Sequence, residues 1–116
     1  MEMKKVYSLK RNEEIAKIIH LKKMVINDVF VIYFSSNNER HGRVCISVSK
    51  KKGIAVVRNR IKRQIREMVT DIFDFSLKYD YVIVAKRNFL NNNFTKNREK
   101  LNELYLKLIS KLRSDL

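Results

Sequence analysis

One segment, residues 50–66, constrains the fold of this chain more than any other. It reads KKKGIAVVRNRIKRQIR, with eight basic residues and no acidic residue. Within and beyond it, apolar residues recur at spacings of four, three and four, at Ile61, Ile65, Met68 and Ile72. This spacing is typical of an α-helix with one buried face, so the sequence predicts a helix from about Arg58 to Asp71.

The basic residues of this helix fall on the side away from the apolar ones. Steps of about 100° per residue put Arg58, Lys62 and Arg66 in one stripe, with Asn59 and Arg63 beside it. Such a stripe repels itself unless anions neutralise it, and nucleic-acid phosphates are suitable anions. Four of the five basic positions between Arg58 and Arg66 are Arg, whose planar guanidinium binds phosphate through two hydrogen bonds.

The composition supports a polyanionic partner. In 116 residues, 26 Lys and Arg stand against 12 Asp and Glu, a formal net charge of +14. The length suits a single domain, residues 1–116, and the charge favours nucleic acid over an anionic membrane. No apolar run could span a bilayer, and Met1–Lys10 does not resemble a signal peptide, so we expect a cytoplasmic protein that binds no membrane.

The rest of the chain alternates helical and strand patterns. Asn12 is a candidate N-cap for a first helix that ends near His20–Lys23. Strands are predicted from β-branched and aromatic residues at Asp28–Phe34, Arg43–Ser49, Ile54–Val57 and Asp80–Lys86. An apolar stripe predicts a C-terminal helix from about Thr95 to Leu112. Helices should therefore cover a small sheet.

The residues do not indicate a catalytic or metal site in the protein. Cys45 is the single cysteine and lies in an alternating strand pattern, which favours a buried thiol. Asp71, Asp74 and Asp80 are spread over a helix end, a loop and a strand start, where capping and solubility are the expected roles. His20 and His41 are interpreted as structural. Residues 50–66 also lack the Gly, Lys and Ser/Thr spacing of a nucleotide P-loop.

Residues 47–67, SVSKKKGIAVVRNRIKRQIRE, closely resemble the signature of the bacterial ribonuclease P protein family, in which S-K-K, a Gly and R-N-R/K-x-K-R-x-x-R-E recur. Weaker similarity extends to F-V-x-Y at Phe30–Tyr33 and V-I-V-A-K/R at Val82–Lys86. The resemblance implies an α+β fold, an αβββαβα sandwich with a mixed four-stranded sheet of the ribosomal protein domain 2-like type. It also implies a left-handed βαβ crossover around the Arg-rich helix.

The resemblance further implies the role of a ribonuclease P subunit that helps a catalytic RNA remove the 5′ leader from precursor tRNA. The chemistry would then belong to the RNA and to Mg²⁺ bound mainly by that RNA. The residues implied in contact with the catalytic RNA are Lys50, Lys51, Lys52, Arg58, Asn59, Arg60, Lys62, Arg63 and Arg66. Those implied in a cleft for the leader are Ile15, Lys17, Ile19, Tyr33 and Lys86.

The chain departs from the family pattern in the first helix. Ile15 and Ile19 stand where relatives usually present aromatic residues, so leader contact would depend on apolar packing, Tyr33 and flanking lysines. Two alternatives remain: a ribosomal or other basic nucleic-acid-binding module, and a stand-alone basic nuclease. The sequence gives no indication of the oligomeric state.

Overall fold

The computed structural model describes residues 4–114, which form three helices, four strands and three short 3-10 turns. In chain order the helices and strands are α1 (Asn12–His20), β1 (Met24–Ile26), β2 (Phe30–Ser36), β3 (Arg43–Ser47), α2 (Ala55–Ile72), β4 (Tyr79–Ala85) and α3 (Phe94–Ser114). Within this range no helix is both long enough and apolar enough to cross a membrane.

The strands form one mixed sheet in the order β1-β2-β4-β3. β1 pairs with β2 and β2 with β4 in antiparallel fashion, whereas β3 runs parallel to β4. The outer edge of β3 is covered by the segment before α1, where Ser8 bridges Val44 and the Leu9 amide donates to the Val44 carbonyl at 2.9 Å. This α+β architecture confirms the predicted fold class.

The main core lies between one face of the sheet and the helices α2 and α3. Residues alternate along β2, so Phe30, Ile32 and Phe34 point into this core. The other strands and the two helices contribute further buried residues, among them Val44, Tyr81, Ile83, Ile61, Ile65, Met68, Leu101, Leu104 and Leu108. The apolar side of α2 is thereby held against the sheet.

The opposite face of the sheet carries α1 and a second, smaller cluster. Ile18 of α1 packs there with Leu9 and with Val82 of β4, and all three are buried. Partly buried residues surround them, namely Ile15, Tyr33, Cys45 and Val84. We call this side the α1 face of the sheet. One short helix covers it only in part, so part of its apolar surface remains accessible.

The crossover from β3 through α2 to β4 is left-handed. Val44 points its side chain into the core beneath α2, while its carbonyl faces the outer edge and Leu9. When an L-residue in a strand is viewed from its side chain with the chain running upward, its carbonyl points right. β4 therefore lies to the left of β3, whereas the common right-handed crossover would place it on the right.

The predicted strand at Ile54–Val57 is wrong. Ile54 is the N-cap of α2 and the helix begins at Ala55, three residues before the predicted start. Val57 packs against the core four residues before Ile61, so the helical period already applies there. The β-branched side chains at Ile54 and Val56 are 72% and 64% exposed and pack in no sheet.

The sheet instead contains a strand that the sequence did not indicate, β1 at Met24–Ile26. A tight turn joins it to β2, and the Asn27 side chain accepts hydrogen bonds from the amides of Val29 and Phe30 at 2.9 and 2.8 Å. Asp28 and Val29 therefore belong to this turn and not to the strand predicted at Asp28–Phe34, which runs from Phe30 to Ser36.

The expected cap of α1 is also wrong, because Arg11 is the N-cap and Asn12 is the first helical residue. The remaining bounds differ from the predictions by one or two residues. They are Arg43–Ser47 against Arg43–Ser49, Tyr79–Ala85 against Asp80–Lys86, and Phe94–Ser114 against Thr95–Leu112.

Candidate nucleic-acid interface

Three consecutive lysines form a 3-10 turn, Lys50–Lys52, directly before α2. We call it the lysine turn. The Ser49 side chain caps it by accepting a hydrogen bond from the Lys51 amide at 3.2 Å. Gly53 ends it with a φ of 138°, a conformation that side-chain-bearing residues rarely adopt. A Cβ at this position would also lie 3.1 Å from the Val57 side chain, which would have to shift, so both the backbone conformation and the space favour glycine.

The basic residues of α2 surround the part of the helix that faces away from the core. Ile61, Ile65 and Met68 are buried, with Val69 beside them. Arg60, Arg63 and Arg66 are exposed, whereas Arg58 and Lys62 are half-buried at the border of the apolar side. We call these five residues the cationic face. Arg58, Lys62 and Arg66 lie in the predicted stripe, and Asn59 is exposed next to it.

The cationic face has no counterion from the part of the chain that the structure describes. The ion pairs within residues 4–114 involve Arg11, Arg43 and Lys100 as cations, and none involves residues 50–66. Arg58 donates from Nε to the Gly53 carbonyl at 3.2 Å, which ties the first turn of α2 to the lysine turn. The fold therefore positions these cations without neutralising them, so they are available to bind an anion from outside the chain.

The start of α2 adds to this positive potential. Its first turn contains no acidic residue, and the N-cap Ile54 provides no side-chain hydrogen bond. The first amide groups of a helix lack intrahelical acceptors and carry a partial positive charge. Beside the lysine turn, they complete a surface of ammonium, guanidinium and amide donors that suits phosphate groups.

The residues predicted to line a leader cleft are brought together only in part. Ile15 and Tyr33 both pack against the small cluster on the α1 face. Ile19 lies one turn of α1 after Ile15 and is 38% exposed. Lys17 is two residues from each isoleucine and therefore lies on nearly the opposite side of α1. There it lines a depression with Ser35–Glu39. Lys86 follows β4, where its ammonium donates to the Asn27 carbonyl at 2.8 Å.

Cys45 lies on the α1 face and is half-buried rather than fully buried as expected. Burial raises the pKa of its thiol, and the nearby Lys62 ammonium offsets part of that increase. Lys62 therefore acts electrostatically on a residue of the α1 face. β3 connects the two sides, since Val44 packs beneath α2 while Cys45 lies on the α1 face.

The sequence interpretation missed an ionic cluster at the start of β3. Arg43 donates to Asp80 from Nε at 2.9 Å and from Nη2 at 2.8 Å, and to Glu14 at 2.6 Å. Hydrogen bonds to Asp80 and Glu14 raise the pKa of Arg43 above its usual range. Asp80 is only 6% exposed, so its role is burial in this cluster and not the capping or solubility that was expected.

A signal for this cluster was present in the sequence. Arg43 and Asp80 each stand at the charged start of an otherwise apolar strand, and the parallel register of β3 and β4 makes them partners. The other acidic residues are not gathered: within residues 4–114, no group of three or more His, Cys, Asp or Glu side chains could hold a metal ion.

Comparison with known proteins supplies the family. The family model described as Ribonuclease P matches residues 3–109. The "Ribonuclease P protein component" of Mesoplasma florum is 40% identical over 111 residues, which cover 94% of this chain and 99% of that protein. The protein of the same name from Macrococcus caseolyticus is 46% identical over 86 residues, covering 73% and 75% of the two chains.

Solved structures agree with these sequence relatives. The Staphylococcus aureus RNase P protein superposes with a TM-score of 0.77 at 33% identity, covering 89% of this chain and 94% of its own. The protein from Thermotoga maritima gives a TM-score of 0.71 at 29% identity, covering 84% and 94%. With a family model matching most of its length and relatives aligned over most of theirs, this chain belongs to the ribonuclease P protein family.

Proposed function

We propose that this chain is the RNA-binding protein component of ribonuclease P and assists a catalytic RNA in removing the 5′ leader from precursor tRNA. Membership of the family supports a role as part of a tRNA-processing ribonuclease complex. The observation that carries the proposal is the cationic face of α2, continuous with the lysine turn and without a carboxylate partner among residues 4–114.

Contact with the catalytic RNA is assigned to this surface. Exposed arginines bind phosphate through paired hydrogen bonds, and the half-buried Arg58 and Lys62 are held in place by the packing of the helix. Because the main core fixes the apolar side of α2, the cations are arranged before RNA arrives, and less conformational entropy is lost on binding. Lys50, Lys51 and Lys52 extend the surface past the end of the helix.

The leader is assigned to the accessible part of the α1 face. Ile15, Ile19 and Tyr33 offer apolar surface and one aromatic ring, which suit the unpaired bases of a single strand. β3 links this face to α2, because Val44 packs beneath α2 while Cys45 lies on the α1 face. A leader lying there would thus be close to the catalytic RNA on α2.

The chemical step is assigned to the RNA. Phosphodiester hydrolysis commonly uses metal ions, and we propose that Mg²⁺ bound mainly by the RNA serves here. The protein's part is to bind and orient the leader and to supply positive charge where several phosphates approach one another. The proposed compartment is the cytoplasm.

A reconstituted reaction tests the proposal. Precursor-tRNA cleavage is measured at low Mg²⁺ with the cognate catalytic RNA, with and without the protein, and with the variant Arg58→Ala/Lys62→Ala/Arg66→Ala. The wild-type protein should stimulate cleavage, and the variant should lose most of that stimulation while its circular dichroism is unchanged. The salt dependence of its RNA affinity, as log Kd against log salt, should become shallower by roughly two to three units for three lost phosphate contacts.

A matched variant separates specific contact from total charge. Arg40→Ala/Arg87→Ala/Lys96→Ala removes three exposed cations outside α2 and should retain most of the stimulation. Equal losses in both triple variants would contradict the assignment to α2. Cleavage by the protein without RNA would favour the nuclease alternative, and selective recovery of ribosomal RNA in a pull-down would favour the ribosomal one.

A further inference from the structure

A second basic surface lies at the other end of the domain from the lysine turn. β1 begins there, β2 ends, β4 begins and α3 ends. These elements enclose a depression of about 390 Å³ lined by Lys23, Lys111, Ser35 and Ser36 above Phe34 and Tyr79. No carboxylate lines it, and neither lysine forms an ion pair with any residue from 4 to 114.

The two lysines are placed by the fold. The Lys111 ammonium lies 5.9 Å from the centroid of the Phe34 ring, and Phe34 is buried. This cation–π contact orients Lys111 over the depression. Lys23 is fixed through its backbone, because its carbonyl accepts a hydrogen bond from the Phe34 amide at 3.1 Å. The Ser35 hydroxyl donates a 3.3 Å bond to the Ser36 carbonyl at the same rim.

An apolar groove of about 480 Å³ adjoins the depression and shares Tyr79 and Leu112 with it. Leu77, Tyr105, Leu106 and Ile109 form the rest of its apolar lining, and Arg113 lies beside them. Leu106 is 58% exposed, so its side chain is accessible to a ligand in this groove. The groove also has Asp74 at its rim, and the Asp74 carboxylate accepts hydrogen bonds from the amide and hydroxyl of Ser76.

Each cavity falls within the usual range of about 300–1,000 Å³ for small-ligand sites, and the pair combines cations with an aromatic and apolar wall. This combination suits a nucleotide, whose phosphate needs positive charge and whose unpaired base packs on aromatic surface. Charge complementarity selects RNA among possible occupants, since the chain carries a net charge of +14.

We infer that this end of the domain binds an unpaired RNA nucleotide, with its phosphate between Lys23 and Lys111 and its base against Tyr79 and Leu106. The inference rests on the proposed function in taking RNA as the partner. The site lies at the far end of the fold from the lysine turn. None of the four residues assigned to the nucleotide belongs to the predicted leader cleft. The nucleotide could come from the catalytic RNA or from the precursor tRNA.

Binding measurements test the site. Lys23→Gln/Lys111→Gln removes both charges but keeps most of each aliphatic stem, and Leu106→Ser removes apolar surface without changing charge. Dissociation constants are measured at several salt concentrations for the in vitro transcribed catalytic RNA alone, and for leader-bearing precursor tRNA with the assembled complex. The double variant should bind roughly three- to tenfold more weakly in one arm, with a salt slope lower by about 0.7 per lost phosphate contact.

Leu106→Ser should weaken the same arm by about two- to fivefold with an unchanged salt slope, because stacking and apolar contact do not release counterions. The arm that responds identifies the source of the nucleotide. The matched control Arg87→Gln/Lys96→Gln removes two exposed charges near the start of α3 and should change affinity less than twofold. If the double variant is less stable than the wild type, Lys23→Gln alone, at an exposed position, replaces it in the binding assay.

Unchanged affinity in both arms, or a loss no larger than that of the control, would overturn the inference and leave an acidic protein partner as the competing occupant. The Arg58→Ala/Lys62→Ala/Arg66→Ala variant runs in the same assay. If it loses affinity while the variants at this end do not, only the inference fails. If wild type and all variants bind the catalytic RNA equally weakly, the proposed function fails as well.

Discussion

Arginines of this chain have two contrasting environments: Arg43 is largely buried and ion-paired, whereas the arginines of the cationic face are mostly exposed and unpaired within residues 4–114. Arg43 has a side chain that is only 17% exposed and is surrounded by the carboxylates of Asp80, Glu14 and Glu39. The arginines of the cationic face lie along one helix, mostly exposed, and have no carboxylate partner within residues 4–114. Thus the same side chain stabilises the fold at one site and remains available to a ligand at the other.

The difference shows how a protein with net charge +14 folds at all. A buried arginine requires partners, because removing its charge from water is costly unless hydrogen bonds and opposite charge compensate. An exposed arginine requires none, since water solvates it, but several of them close together repel one another. The acidic residues near Arg43 therefore serve the fold. The repulsion on α2 is a folding cost, which phosphates would remove if RNA binds there as proposed.

The largest expected effect comes from breaking the buried group. Arg43→Met leaves the Asp80 carboxylate buried without its partner and should lower the free energy of unfolding by about 3–5 kcal/mol, measured by urea denaturation. Arg43→Met/Asp80→Asn should recover part of that loss because no uncompensated charge remains. A loss below about 1 kcal/mol in the single variant would mean that the cluster is solvated and that the contrast with α2 is weaker than the distances indicate.

A smaller effect is expected where the lysine turn meets α2. Gly53→Ala forces a side chain into a φ of 138° and against Val57, and should destabilise the fold by about 1–3 kcal/mol. RNA affinity should also fall, because the turn must shift away from Arg58. Gly53→Asn should be no better tolerated, because φ 138° with ψ −175° lies outside the left-handed helical region that Asn adopts. Equal stability of wild type and Gly53→Ala in thermal denaturation would contradict this account.

The smallest effect has the opposite sign. Arg58→Ala/Lys62→Ala/Arg66→Ala should raise the free energy of unfolding at low salt by up to roughly 1 kcal/mol, because like charges on one helix repel. Added salt should reduce the gain by screening that repulsion in the wild type. Urea denaturation of wild type and variant at two salt concentrations measures this difference in the free energy of unfolding. A variant that is destabilised at low salt would show that these cations contribute more to packing than to ligand binding.

Much of α2 could be predicted from sequence, because its apolar spacing and its cations are local properties of one helix. Ile61, Ile65 and Met68 are buried as expected. Of the predicted basic stripe, Arg66 is exposed, whereas Arg58 and Lys62 are half-buried at the border of the apolar side. The start of α2 could not be placed in the same way. Ile54–Val57 has β-branched residues that favour strands, but continuation of the helical period through Val57 prevails.

Features that depend on distant residues were the ones missed. β1 has only three residues, and it is a strand because Met24, Val25 and Ile26 pair with Tyr33, Ile32 and Val31. The partnership of Arg43 with Asp80 requires the parallel register of two strands separated by a helix. The left-handed crossover came from family resemblance, since general preference favours the right-handed form.

In the candidate site, too, the residues of one helix could be located from the sequence, whereas the residues drawn from several elements could not. The residues assigned to the catalytic RNA are consecutive or one helical turn apart, so their common location followed from the helix itself. The cleft residues come from α1, β2 and the end of β4, and the structure places Lys17 on the other flank of α1 from Ile15 and Ile19. Their roles in leader contact remain predictions.

The strand order β1-β2-β4-β3 also fixes when the domain can assemble during translation. β3 and α2 leave the ribosome before β4, so β3 then has no neighbouring strand and the apolar side of α2 has no completed sheet beneath it. Only after residues 79–85 emerge does the last long-range pairing become possible. RNA that meets the nascent chain earlier encounters the arginines before the fold has aligned them, so a correctly shaped binding surface is among the last products of synthesis.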